Sequence, residues 1–132
     1  MHIECKDNYG QTPLLCAVKA SDVNMASKLL GWKANPDCKD GHGWRPLFYA
    51  IESFKGVKEA EEVKEVVMKS LEAGANLELK DEFGQTPLSL AAHGGLTDMV
   101  GMLLNDGAKP NSKNDSGLTP LSVATRGGMK RW

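Results

Sequence analysis

The apolar positions of this chain fall into short runs with helical spacing, each bracketed by Gly, Pro, Asp or Asn. The clearest stretch follows Thr86-Pro87. Leu88, Leu90, Ala91 and Ala92 form a short apolar face and Gly94-Gly95 interrupts it. Met99, Val100, Leu103 and Leu104 then form a second face at spacings of three and four, ending at Gly107. Thr offers an N-cap oxygen, and Pro at the first helical position gives up no needed N–H, so Thr-Pro marks a helix start. Gly107 supplies the left-handed residue that closes a helix. Near the N-terminus the second helix is expected to begin at Ser21-Asp22, both good caps. The predicted unit is turn, short helix, turn, longer helix, turn.

The same blocks return in constant order. Asp7-Asn-Tyr-Gly10-Gln-Thr12-Pro13-Leu14, Asp40-Gly-His-Gly43-Trp-Arg45-Pro46-Leu47, Asp81-Glu-Phe-Gly84-Gln-Thr86-Pro87-Leu88 and Asn114-Asp-Ser-Gly117-Leu-Thr119-Pro120-Leu121 align, their glycines 33, 41 and 33 residues apart. Cys5-Lys6-Asp7, Cys38-Lys39-Asp40, Leu79-Lys80-Asp81 and Ser112-Lys113-Asn114 are a second echo. Leu29-Leu30 before Ala34-Asn35, Gly74-Ala75-Asn76, and Leu103-Leu104 before Gly107-Ala108 are a third. Asp-x-x-Gly is turn chemistry, the carboxylate bonding nearby backbone N–H groups and Gly taking a positive φ. No unit buries its apolar faces alone, so the units must stack.

This pattern resembles the ankyrin family, whose repeat opens with a β-turn and carries a Thr-Pro-Leu helix start. The resemblance covers residues 3–129. It implies an all-α repeat solenoid of stacked helix-turn-helix units with β-turn fingers, and a single domain over 1–132. The repeats would occupy about 7–39, 40–80, 81–113 and an incomplete 114–132. It further implies a curved array whose concave face, made of finger tips and first helices, binds a partner protein.

The chain departs from the family pattern in several places. Arg45 stands where Thr is expected and removes the hydroxyl cap, a loss of about 1 kcal/mol; alternatively, its guanidinium serves the ligand face. The position after Thr-Pro-Leu, often His in the family, is Leu15, Phe48, Ser89 and Ser122, which puts the usual Thr-to-His hydrogen bonding in doubt. Lys33 replaces the closing glycine of the first repeat, and a left-handed lysine costs about 1 kcal/mol, so another helix-end geometry is expected there. Trp32 beside it is expected to cover that turn at the outer rim. The second repeat carries eight extra residues within 52–65. Val57, Ala60, Val63, Val66, Val67 and Leu71 recur at helical spacing, with Glu65 and Lys69 as an i,i+4 pair. Eight residues add about 12 Å of helix, predicting a second helix lengthened by roughly two turns, or a protruding loop plus helix. Both ends resemble portions of a longer array. Folding back of Trp132, self-association through the uncapped last repeat, and membership of a longer chain all remain open.

Composition then limits the chemistry. At 132 residues, with 41% apolar and 25% charged positions, the chain suits one globular domain. A net charge of −1 calls for neither nucleic acid nor an anionic membrane, and no apolar run spans a bilayer. Residues 1–6 show no cationic stretch followed by an apolar region, so they are not expected to act as a secretory signal. Cys5, Cys16 and Cys38 lack zinc-ligand spacing, and stacked repeats would hold Cys5 and Cys38 near 10 Å apart, about a helix diameter and beyond disulfide reach. They suggest a reduced, intracellular protein, cytoplasmic or nuclear. A Cys16–His42 nucleophile pair is conceivable between neighbouring repeats. However, Cys16 is expected on the apolar side of its helix, where buried thiols are inert. No nucleophile elbow, phosphate loop, dinucleotide fingerprint or zinc-protease motif occurs. No enzyme activity, cofactor or metal is expected.

The family's contact positions carry over to the residues after each Asp, the residue after the Gly, and the end of the first helix. These are Asn8, Tyr9, Gln11 and Lys19; Gly41, His42, Trp44 and Glu52, with Arg45; Glu82, Phe83, Gln85 and His93; and Asp115, Ser116, Leu118 and Arg126. Tyr9, Trp44 and Phe83 would form an aromatic row, and aromatics supply much hot-spot energy at interfaces. The expected function is non-catalytic protein binding, as adaptor or inhibitor. The alternative is a structural segment of a longer array with no ligand of its own.

Overall fold

Every Thr-Pro or Arg-Pro pair starts a helix in the computed structural model of the chain, which describes residues 6–20, 22–54 and 61–126. The helices are α1 (Pro13–Lys19), α2 (Val23–Gly31), α3 (Pro46–Phe54), α4 (Glu61–Glu72), α5 (Pro87–His93), α6 (Thr97–Asn105) and α7 (Pro120–Arg126). No strand occurs among the described residues. The architecture is an all-α repeat solenoid, divided into two compact units, Met1–Ala75 and Asn76–Trp132. In the first unit α1 packs on α2 and α3, α2 packs on α4, and α3 packs on α4; in the second, α5 packs on α6 and α7. First helices thus lie beside first helices, and in the first unit second helices do the same.

The apolar stripes read from the sequence form the cores. Leu14, Leu15, Ala17 and Val18 of α1, Leu29 and Leu30 of α2, Phe48 and Ile51 of α3 and Val66 and Val67 of α4 are buried in the first unit. Leu88, Leu90, Ala91 and Ala92 of α5 and Met99, Val100 and Leu103 of α6 are buried in the second. Leu121 is the exception: it is 58% exposed, whereas its counterparts Leu14, Leu47 and Leu88 are at most 4% exposed.

Capping follows residue type. Thr12 and Thr86 accept from the N–H groups of Leu15 and Ser89, and Asp22 accepts from Met25 N–H at 3.1 Å; Ser21 lies outside the described residues. Instead of bonding a histidine, Thr12 Oγ1 meets the buried Cys38 Sγ at 3.1 Å, and Thr119 Oγ1 meets Ser122 Oγ at 3.2 Å. Phe48 is buried, and Ser89 Oγ is buried with no partner among the described residues. Gly74 and Gly107 close their helices at φ 87° and 98°.

Two expectations need correction, at Lys33 and at Cys16. Lys33 does adopt the left-handed geometry, at φ 65°. The bond from Ala34 N–H to Leu29 O at 2.9 Å matches those from Ala75 to Ser70 and Ala108 to Leu103, both at 3.0 Å, so the backbone closure prevails over the side chain's cost. Lys33→Gly is accordingly expected to stabilise the chain by about 0.5–1 kcal/mol, relief of strain exceeding glycine's entropic cost, as urea unfolding would measure. The described part of the second repeat's second helix, α4, has 12 residues against 9 in α2 and α6. Its Lys69 reaches Glu72 at 4.0 Å. The rest of the insertion, with Val57 and Ala60, falls outside the described residues. Finally, Cys16 is exposed and its thiol points at Gln11 Oε1, 3.4 Å away. At about 100° per residue it lies on the opposite side of α1 from Leu14, Leu15 and Val18. Trp32, at the end of α2, is exposed. Cys5 and Trp132 lie outside the described residues.

Candidate functional site

The fingers are built identically four times. In the first, Asp7 Oδ1 accepts from Tyr9 N–H at 2.8 Å and Gln11 N–H at 3.0 Å. Asp40 receives His42 and Trp44, Asp81 receives Phe83 and Gln85, and Asn114 receives Ser116 and Leu118, all within 2.8–3.1 Å. Each turn is closed by a glycine N–H, from Gly10, Gly43, Gly84 or Gly117, to the carbonyl of its Asp or Asn. These glycines take φ between 75° and 80°, where a side chain is strained.

Successive fingers within a unit are then tied by backbone. Gly41 N–H donates to Tyr9 O at 3.3 Å, and Asp115 N–H donates to Phe83 O at 3.1 Å. In the second unit, Glu78 also accepts from Lys109 N–H and Ser112 Oγ, each at 3.0 Å, and Lys80 Nζ donates to Lys113 O at 3.0 Å. The finger backbones are held, and the residues between their anchors point outward.

The candidate positions divide by environment. Asn8, Tyr9, Lys19, Gly41, His42, Glu82, Phe83, His93, Asp115 and Ser116 are exposed. Tyr9 is 78% and Phe83 62% exposed, on turns that need no aromatic to form. Gln11, Trp44, Arg45, Glu52, Gln85 and Leu118 are half-buried. Gln85 Oε1 is buried and has no partner among the described residues. Arg45 donates through Nη1 to the Asp37 carbonyl, so its guanidinium is turned into the fold. Arg126 ends α7, and its side chain lies outside the described residues.

One group of these residues converges with a neighbour that the sequence did not single out. Tyr49, one turn into α3, donates its hydroxyl to Asp40 Oδ2. The Trp44 ring lies 5.2 Å from the Tyr49 ring and 5.8 Å from Phe48. Lys19, from the end of α1, places its ammonium 5.2 Å above the Tyr49 ring centre. Tyr49 thereby joins two first helices and a finger. Its counterparts are Cys16, Leu90 and Val123, so the only signal of its role was a hydroxyl-bearing aromatic at a variable position.

Burial pushes the Asp40 carboxyl up. Hydrogen bonds from the Tyr49 hydroxyl and from the Trp44 and His42 N–H groups, together with the His42 charge, outweigh this and hold it below its ordinary value of 3.8. A carboxyl depressed by folding adds stability above its unfolded value, and that stability is lost as pH falls through the folded value. Tyr49→Phe removes the strongest of these donors. It is expected to lower stability at neutral pH by about 1–2 kcal/mol, with the deficit narrowing below pH 3.8. Urea unfolding at neutral and acid pH would measure both effects.

Among the described residues no three of His, Cys, Asp and Glu are grouped to hold a metal ion. No helix among them is long and apolar enough to cross a membrane.

Comparison with known proteins agrees with the geometry. The family described as ankyrin repeat matches residues 9–41, and the one described as ankyrin repeats (many copies) matches residues 71–124. The chain is also similar to the human protein named transient receptor potential cation channel subfamily A member 1, with 32% identity over 98 residues. That match covers 74% of this chain and 8% of the human protein's length.

Proposed function

Because the chain belongs to the ankyrin-repeat family, we propose that it is a non-catalytic module, of adaptor or inhibitor type, that holds a partner protein on its fingers and first helices. Ankyrin repeats generally mediate protein–protein interaction. The observation that carries the reading for this chain is the exposure of Tyr9 and Phe83 on turns whose backbones are fixed by the next finger. A held aromatic offers large contact area at small entropic cost, which is what interface hot spots require. The binding residues in this reading are Asn8, Tyr9, Gln11, Lys19, His42, Trp44, Glu82, Phe83, Gln85, His93, Asp115, Ser116, Leu118 and Arg126. Arg45 contributes mainly by bracing its finger. The location that suits such a module, with Cys16 and Cys38 as thiols, is intracellular.

The double variant Tyr9→Ala/Phe83→Ala tests the reading. Both side chains are exposed, so folding is expected to change by no more than about 0.5 kcal/mol. Affinity for a partner isolated with the wild-type chain is expected to fall at least about 30-fold, from one hot spot's loss of roughly 2 kcal/mol or more. Titration calorimetry showing unchanged affinity would refute it. Such a result would favour the second reading, in which the repeats space other parts of a longer chain. That reading draws on the human relative, in which the matching stretch is 8% of the length.

A further inference from the structure

The charge offered by the first unit's fingers and first helices differs from the charge written in its sequence. Asp7 is occupied by two finger N–H groups. Asp40 is occupied by two more and by the Tyr49 hydroxyl. Glu52, at the end of α3, has a partner of its own. Lys19 is exposed, and its ammonium rests on the Tyr49 face. The ring contact is an attraction to a quadrupole, which leaves the ammonium's hydrogen-bond donors available. Tyr49 is itself fixed by Asp40 and by Trp44 at 5.2 Å. Lys19 is therefore a cation held over the Tyr49 ring, which the half-buried Trp44 also touches, with less side-chain freedom to lose than a free lysine when a partner arrives.

We propose that Lys19, Tyr49 and Trp44 form a patch that selects a partner segment carrying a carboxylate side chain, with Lys19 pairing the carboxylate and Trp44 covering the adjacent apolar atoms. This rests on the reading of fingers and first helices as the binding surface. The other occupants meet an obstacle at the same atoms. A partner cation seeking the Tyr49 face finds it already taken by a like charge. A neutral apolar segment buries the Lys19 ammonium without compensation, which is unfavourable. A carboxylate satisfies the ammonium through a charge-assisted hydrogen bond. Tyr49 acts as a positioning residue and Lys19 as the specificity determinant.

The experiment is an NMR titration of the isotope-labelled full chain. Four probes are used: a capped peptide repeating Glu-Ser-Leu, its Gln-Ser-Leu and Lys-Ser-Leu analogues, and a single-stranded oligonucleotide of similar length. The acidic peptide is expected to shift the signals of Lys19, Tyr49 and the Trp44 indole, and to bind at least about fivefold more tightly than the Gln analogue, as for a partly exposed charge pair. Lys19→Glu is expected to abolish that preference and confer one for the Lys analogue, while Lys19→Arg retains it. The proposal is overturned if no probe shifts these signals, if the Gln analogue, Lys analogue or oligonucleotide binds as tightly as the acidic peptide, or if Lys19→Glu changes nothing. The parent reading fails separately. If Tyr9→Ala/Phe83→Ala weakens partner binding and Lys19→Glu does not, only the carboxylate selection is lost.

Discussion

Replacing Phe48 by alanine is expected to destabilise the first unit by about 3–5 kcal/mol, the range for removing a fully buried aromatic ring from a close-packed core. Phe48 is 1% exposed and stands where the family often carries histidine. Its ring also meets Trp44 edge-on, with the ring planes at 75°. The variant therefore removes core volume and the support under a finger at once. Thermal and urea unfolding should show the loss, and Trp44 fluorescence should report a more solvated indole even where the chain remains folded. Phe48→Leu fills most of the volume and is expected to recover roughly half of the loss. A cost below about 1 kcal/mol for Phe48→Ala would mean that the α3 core is not close-packed around this ring.

Gly84→Ala is expected to cost about 2–3 kcal/mol, combining a left-handed alanine with a steric clash. Gly84 has φ 75°, and a Cβ there would lie 2.3 Å from Asp115 Oδ1 and 2.8 Å from the Asp115 backbone N. The carboxylate can rotate away, but the backbone N cannot move without breaking its bond to Phe83 O. Gly43 is the internal control. It has φ 80°, and a Cβ added there would meet nothing within 4 Å, so Gly43→Ala is expected to show the backbone strain alone, about 1 kcal/mol. Equal losses in the two variants would show that the close approach of the third and fourth fingers contributes nothing.

The fold was legible because each repeat carries its own punctuation. Asp-x-x-Gly specifies a turn through side-chain acceptance and a positive φ, and Thr-Pro specifies a helix start, so spacing alone places the elements. Periodicity in 57–71 indicates a helix, and the described part of it is α4, Glu61–Glu72. Local detail was less legible. At Cys16, apolar character suggested burial, whereas the angular position on α1 decides exposure. At Lys33, residue preference suggested a different helix end, whereas the helix-closing backbone bonds set the geometry.

The candidate surface divides in the same way. Tyr9 and Phe83 follow from register, because the residue two beyond each anchoring Asp must leave the turn. Tyr49 does not, since its position holds Cys16, Leu90 and Val123 in the other repeats. Its contact with Lys19 arises only when α1 packs on α3. Arg45 differs again: the sequence left open whether it faced a ligand, and the bond to the Asp37 carbonyl depends on the loop that ends the preceding repeat.

Binding of a protein by fingers and first helices is tested most directly by amide hydrogen exchange on the chain with and without its isolated partner. New protection is expected at residues 7–11, 40–45, 81–85 and 114–118 and at the ends of α1, α3 and α5, with α2, α4 and α6 unchanged. Protection confined to α2, α4 and α6, with the fingers exchanging as in the free chain, would contradict it.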